Sequence, residues 1–281
     1  MKRSLLIFSF SLFLISLLNS NCKLADLRPT VLTNSGNNPD LKKKALQIIS
    51  NPSETALKPA QWKDYKKIQF TLTDVWHSKL TKFFTPIKDD EQRMNVFIDL
   101  EKSTMEVELL NGVNKGLVLG LSKKDVYQIS ADTGKVFTGD DEVRIYLESL
   151  RLYLMLVWKM QEFEILQYAG DSKLHSKDYN IVYATSVQVE ATPDTDQYIA
   201  YYEKDSGALE WIEFTYREVF IWYRGVLKFG HYEQWDGKMF PRRISILDSF
   251  DATDFVHEIR IEKIEKAKKP LAEEQIIQEQ N

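Results

Sequence analysis

Residues 140–163 read DDEVRIYLESLRLYLMLVWKMQEF. Asp140, Asp141 and Glu142 place negative charge where a helix N-terminus favours it, and no Gly or Pro interrupts the residues after them. Leu147, Leu150, Tyr153, Leu154, Val157 and Trp158 recur at helical spacing to form an apolar face. Leu152, Met155 and Leu156 then widen that face until residues 152–158 are apolar all round. A helix of this kind requires burial on several sides. Glu148, Arg151 and Lys159 break the run, so it is too short to span a membrane. A concave sheet wrapped around the helix satisfies the requirement.

The flanking sequence supplies such a sheet. Ile68, Phe70, Leu72 and Trp76 alternate with Gln69, Thr71 and Thr73, the period-two signature of a strand with one wet face. Met94, Val96, Ile98 and Leu100 form the next set, and Met105, Val107 and Leu109 alternate with Glu106 and Glu108. Segments 116–121 and 125–129 continue the series with short turns, as in a meander. Beyond the helix, strands are expected at 178–189, 197–204, 208–218, 226–234, 239–247 and from Phe255 through His257, Ile259 and Ile261. Lys204-Asp205-Ser206-Gly207 and Trp235-Asp236-Gly237-Lys238 are hairpin signals. Ahead of the strands, Leu41, Ala45, Leu46, Ile48 and Ile49 read as a short helix capped by Asp40. The expected fold is mainly β (α+β). A single curved antiparallel sheet of about ten to eleven strands forms an incomplete barrel, with the long apolar helix across its concave face.

The first residues suit a different purpose. Met1-Lys2-Arg3 precedes an apolar run from Leu5 to Leu18, the length of a signal-peptide core. It ends in Leu18-Asn19-Ser20-Asn21-Cys22, which looks like a relaxed lipobox. Residues 1–21 are then a signal peptide and Cys22 the lipidated first residue of the mature chain; the alternative is a secreted protein with an incidental cysteine. Lys23 is not the aspartate that holds many such proteins in the inner membrane, which favours the outer membrane. Residues 22–39 are Asn-, Pro- and Ser-containing and read as a flexible tether reaching roughly 20 Å. The folded domain is expected over 40–266 and a polar tail over 267–281.

Composition excludes other classes. The chain has 281 residues, 12% aromatic and only 11 Gly and 8 Pro, which rules out a disordered or fibrous protein. Its formal charge is −4, becoming −6 without Lys2 and Arg3, and the basic residues are spread along the chain. Nucleic acid is not an expected partner.

The order of elements, with Trp62, Tyr65 and Phe70 at the first strand, resembles the LolA/LolB-like superfamily of periplasmic lipoprotein carriers and receptors. Further carriers of the resemblance are Asp196-Gln197-Tyr198-Ile199-Ala200-Tyr201-Tyr202 with Gly207-Ala208-Leu209, and Asp236-Gly237 with Phe240-Pro241-Arg242-Arg243-Ile244. It spans about residues 40–265. The resemblance implies an incomplete barrel whose apolar concave face is closed by helices and shelters acyl chains, and a receptor branch that is itself lipid-anchored. Arg93 is the candidate for the carrier's barrel-closing arginine, against the plainer reading of an exposed charge. Phe83-Phe84-Thr85-Pro86-Ile87 is the nearest match to the receptor's protruding apolar loop. Phe83 and Phe84 would touch membrane or acyl chain there, or else pack beneath a strand connection.

Spacing reveals no catalytic pattern. His257-Glu258 lacks the second histidine of a metalloprotease helix, no G-x-S-x-G exists, and Gly112, Gly116 and Gly120 do not fit a dinucleotide fingerprint. His77, His175, His231 and His257 are dispersed. Neither catalytic residues, a metal nor a cofactor is expected. The preferred reading is a lipid-anchored, monomeric envelope protein that binds an acyl chain or other apolar ligand, with lipoprotein or lipid transfer as its setting. Candidate lining residues are Phe70, Leu72, Ile98, Val107, Leu150, Tyr153, Leu154, Phe214 and Tyr216. The competing readings are a structural or interaction lipoprotein whose helix fills the barrel, and a hydrolase of an envelope lipid or polymer.

Overall fold

In the computed structural model, residues 23–32, 36–50, 65–130, 133–267 and 270 are described. The signal-peptide reading and Cys22 fall outside them, as do Trp62 and most of the tail. Thirteen strands form one antiparallel sheet: β1 (Lys67–Trp76), β2 (Glu91–Asp99), β3 (Thr104–Leu109), β4 (Val118–Ser122), β5 (Asp125–Ser130), β6 (Gly134–Phe137), β7 (Ile165–Leu174), β8 (Lys177–Thr185), β9 (Gln197–Glu203), β10 (Leu209–Thr215), β11 (Arg224–Trp235), β12 (Lys238–Leu247) and β13 (His257–Lys266). Their spatial order is β6-β5-β4-β3-β2-β1-β13-β12-β11-β10-β9-β8-β7. The sheet is therefore two meanders fused at its centre, where β1 pairs with β13 from Ile68–Lys266 to Trp76–His257.

The strand count corrects the expected ten to eleven; β6 and β7 are the additions, and both are edges. Among the described residues three α-helices accompany the sheet: α1 (Pro39–Ser50), α2 (Lys79–Phe83) and α3 (Asp141–Lys159). α3, with a 3-10 turn at Met160–Glu162, is the connection from one sheet edge to the other. It begins as expected, with the Asp140 side chain accepting from the backbone N–H groups of Glu142 (2.9 Å) and Val143 (3.2 Å). α1 starts earlier than expected. Asn38, not Asp40, accepts from the Asp40 and Leu41 N–H groups, and Pro39 occupies the first helical position, where its missing N–H costs nothing.

Two apolar clusters lie on opposite faces. The larger fills the concave face with Ile68, Phe70, Leu72, Val96, Ile98, Phe214, Leu227 and Ile244 against α3. The smaller lies behind β7–β12 and holds Tyr179, Tyr183, Trp211 and Val226. Leu27 and Leu32 belong to this second cluster, so residues 23–32 are docked on the convex face. This corrects the flexible-tether expectation. Long-range partners hold the segment: the Leu27 N–H donates to Gln197 Oε1 (2.9 Å), the Ala25 N–H to the Ile221 carbonyl (3.0 Å), and Arg217 to the Ala25 carbonyl. Among the described residues no helix is long and apolar enough to cross a membrane.

Candidate functional site

Inward-facing positions of β1, β10, β12 and β13 meet α3 across the concave face. Phe70, Leu72, Ile98, Val107, Leu150, Tyr153, Leu154 and Phe214 are all buried in one cluster, and Tyr216 packs half-buried against it. The structure thus brings all nine candidate lining residues together, but packed against one another. The packing is uneven. The α3 backbone runs closest to β4 and β5. Towards the opposite side of the sheet, rings bridge the gap: Tyr153 meets Phe214 at 6.0 Å between centroids, and Trp158 meets Phe240 at 4.9 Å and Phe70 at 6.4 Å. The Ser149 hydroxyl donates to Tyr216 Oη at 3.0 Å.

Beneath the first half of α3 lies a polar group that the sequence reading passed over. Asp74, fully buried, sits 2.8 Å from His257 Nδ1 through Oδ1 and accepts from Tyr146 Oη at 3.1 Å through Oδ2. Trp76 stacks on the His257 ring at 4.1 Å. Burial, reinforced by the Asp74 carboxylate, holds the Tyr146 hydroxyl well above its ordinary pKa, so it remains a donor. The signal was present in the alternation: positions 68, 70, 72, 74 and 76 share one face of β1, and an aspartate among them demands inward partners. Tyr202 Oη and Trp76 Nε1, on the same face, are buried without a hydrogen-bond partner among the described residues.

The other candidates lie elsewhere. Arg93 points outward and grips Glu262 (Nη2 to Oε2, 2.7 Å), so it is not a contact between barrel and helix. Phe83 and Phe84, at the end of α2, are exposed rather than tucked beneath the strand connection. His77 pairs with Asp254 and His175 reaches the Phe250 carbonyl, each apart from His257. A hollow of about 740 Å³ opens on the convex face, bordered by Trp211, Lys228, Arg243, Phe250, Asp251 and Glu258. Its mixed charges do not match an acyl chain.

No protein-family model matches the sequence, and no curated protein matches it. Solved structures do. A LolA superfamily protein from Nitrosomonas europaea superposes with a TM-score of 0.50 at 11% identity, covering 80% of this chain and 94% of that one. A DUF1329 family protein from Desulfovibrio piger gives 0.51 at 8% identity over 82% and 95%. The chain has a LolA-like fold. A putative outer membrane lipoprotein-sorting protein domain from Vibrio parahaemolyticus is also similar, with a TM-score of 0.49 and 10% identity over 84% and 99%. Within the LolA-like fold, the motif Asp196-Gln197 has a visible task. The Asp196 carboxylate accepts from the Arg217 N–H (2.8 Å) and Thr215 Oγ1 (3.1 Å), while Gln197 joins Leu27 to Tyr183 Oη. These residues fasten the N-terminal segment to the convex face.

Proposed function

We propose that this protein is a non-enzymatic, lipid-anchored envelope protein that takes an acyl chain or another apolar ligand into the concave face of its half-barrel, with α3 as the cover. The observation that carries this reading is the asymmetric seat of α3. One flank packs close to β4 and β5, whereas the other is spanned by the rings of Tyr153 and Trp158. In this reading a ligand enters by displacing those rings from Phe70, Phe214 and Phe240. Each methylene placed there gains about 0.8 kcal/mol, so a chain binds without any specific polar contact. Anchoring runs through Cys22, with the outer membrane as the favoured site and a monomer as the working unit. A Cys22→Ser variant loses both its fatty-acid label and its membrane fraction if this holds.

The competing reading, an interaction lipoprotein with a filled barrel, is favoured by the near-complete burial of Leu150, Tyr153 and Leu154. Titration with a fluorescent fatty acid separates the two. Saturable one-site binding, displaced by phospholipid and weakened by Phe214→Trp, supports the chamber; absence of saturable binding supports the filled barrel.

A further inference from the structure

The register of the sheet places particular turns together. Trp76 pairs with His257, Ile246 with His257, Val226 with Leu247, Thr215 with Arg224, Phe214 with Tyr198 and Thr185 with Gln197. The β1–β2, β8–β9, β10–β11 and β12–β13 connections therefore leave the same end of the sheet. At that end the β10–β11 turn carries Val219-Phe220-Ile221-Trp222, four consecutive apolar residues, all exposed. Phe220 is 50% and Trp222 48% exposed, and their rings stack on each other at 5.0 Å. The β1–β2 connection adds exposed Phe83 and Phe84. Folding does not spend this surface on the core, and four exposed apolar residues in sequence are unusual for a turn.

The N-terminal segment arrives at the same place. Ala25 donates to the Ile221 carbonyl, and the buried Arg217 guanidinium reaches the carbonyls of Ala25, Ile221 and Thr195 at once. Two residues, Lys23 and Leu24, separate Ala25 from Cys22, so the three Cα–Cα steps reach at most about 10 Å. Whatever Cys22 is attached to is held within that distance of Ala25, next to the turn. Trp and Phe side by side suit the headgroup boundary of a bilayer, where amphipathic rings collect.

We propose that the turn Val219–Trp222, together with Phe83 and Phe84, is the surface by which the protein lies against a lipid bilayer beside its N-terminal attachment point. The docked segment then acts as a short strap, and this end of the sheet faces the membrane while the 123–124, 204–207 and 236–237 turns face away. The choice of a bilayer as occupant rests on the proposed anchoring through Cys22, but the contact itself is measured independently.

The test uses the full chain in vesicles of phosphatidylethanolamine and phosphatidylglycerol carrying a nitroxide-labelled lipid. A fluorophore is placed through Phe220→Cys, and in a second protein through Lys124→Cys in the turn at the opposite end. Trp222→Cys reports the same surface if Phe220→Cys misfolds. Thiol labelling of the unsubstituted chain reads whether Cys22 is free. Several-fold stronger quenching at 220 than at 124 supports the proposal. Equal quenching with Cys22 blocked overturns it and leaves the anchoring reading standing. Where Cys22 proves free, the labels are placed in a Cys22→Ser background, and stronger quenching at 220 than at 124 there supports the surface and removes the anchor. A fluorophore at 220 that is shielded in a dimer and insensitive to labelled lipid overturns the proposal in favour of a second copy.

Discussion

Substituting Asp74 by Ala removes the acceptor shared by Tyr146 and His257 inside the concave face. Tyr146 Oη is then left with only a 3.8 Å approach to Met94 Sδ, and His257 Nδ1 loses its 2.8 Å partner. A buried polar group stripped of its hydrogen bond costs about 1–3 kcal/mol, so two of them give about 2–6 kcal/mol. Against a usual total of about 5–15 kcal/mol, that is a large fraction. Asp74→Asn keeps the shape and one accepting oxygen, and its cost falls to about 1–2 kcal/mol. Urea unfolding followed by tryptophan fluorescence measures both; the midpoint moves while the slope does not. Adding Tyr146→Phe to Asp74→Ala recovers about half of the loss, because the orphaned hydroxyl is gone while His257 Nδ1 still lacks its partner. An Asp74→Ala protein within about 0.5 kcal/mol of the parent refutes the argument, since that is the scatter expected of a surface site.

Leu154→Asp places a carboxylate at a fully buried position of α3 and costs at least about 4 kcal/mol or prevents folding, read by thermal denaturation. Gly120→Ala is disfavoured for a local reason: a Cβ there would stand 2.1 Å from the Tyr127 ring, which is held by its hydrogen bond to Glu106 (2.8 Å). Displacing that ring costs about 1–3 kcal/mol in the same assay. The Arg93 guanidinium holds the Glu262 carboxyl below its usual pKa. A depressed carboxylate contributes stability above its unfolded pKa and loses it as pH falls, so Arg93→Ala flattens the decline of melting temperature below about pH 4.3.

The helix and eleven of the strands were legible because burial imposes periodicity on sequence. Met94, Val96 and Ile98 alternate because one side of β2 meets α3, and residues 152–158 are apolar because rings and strands surround them. The two strands missed are two whose burial does not alternate. β6 is four exposed residues, Gly-Lys-Val-Phe, with no inner face to mark it. β7 has Gly170 at φ +104° where its register with β8 shifts, and its far end, Asp171-Ser172-Lys173, is exposed. Residues 23–32 read as a tether for a related reason. Their partners, Gln197, Arg217 and Ile221, are remote in sequence, and no local composition announces a contact made at that separation. Asp74 and His257 were each visible as polar residues in an inward register, but their meeting depends on the pairing of β1 with β13.

That pairing also sets an order of events. β1 begins the sheet in sequence and β13 ends it, yet they are neighbours at its centre, so the meander β1–β6 and the meander β7–β13 join only when the last strand has arrived. Closing a loop of that length is entropically slow. A chain delivered N-terminus first cannot complete its sheet until nearly all of it is available. Until then β1 offers an unpaired backbone edge on the side that β13 will occupy, which is the surface a holding chaperone would have to recognise.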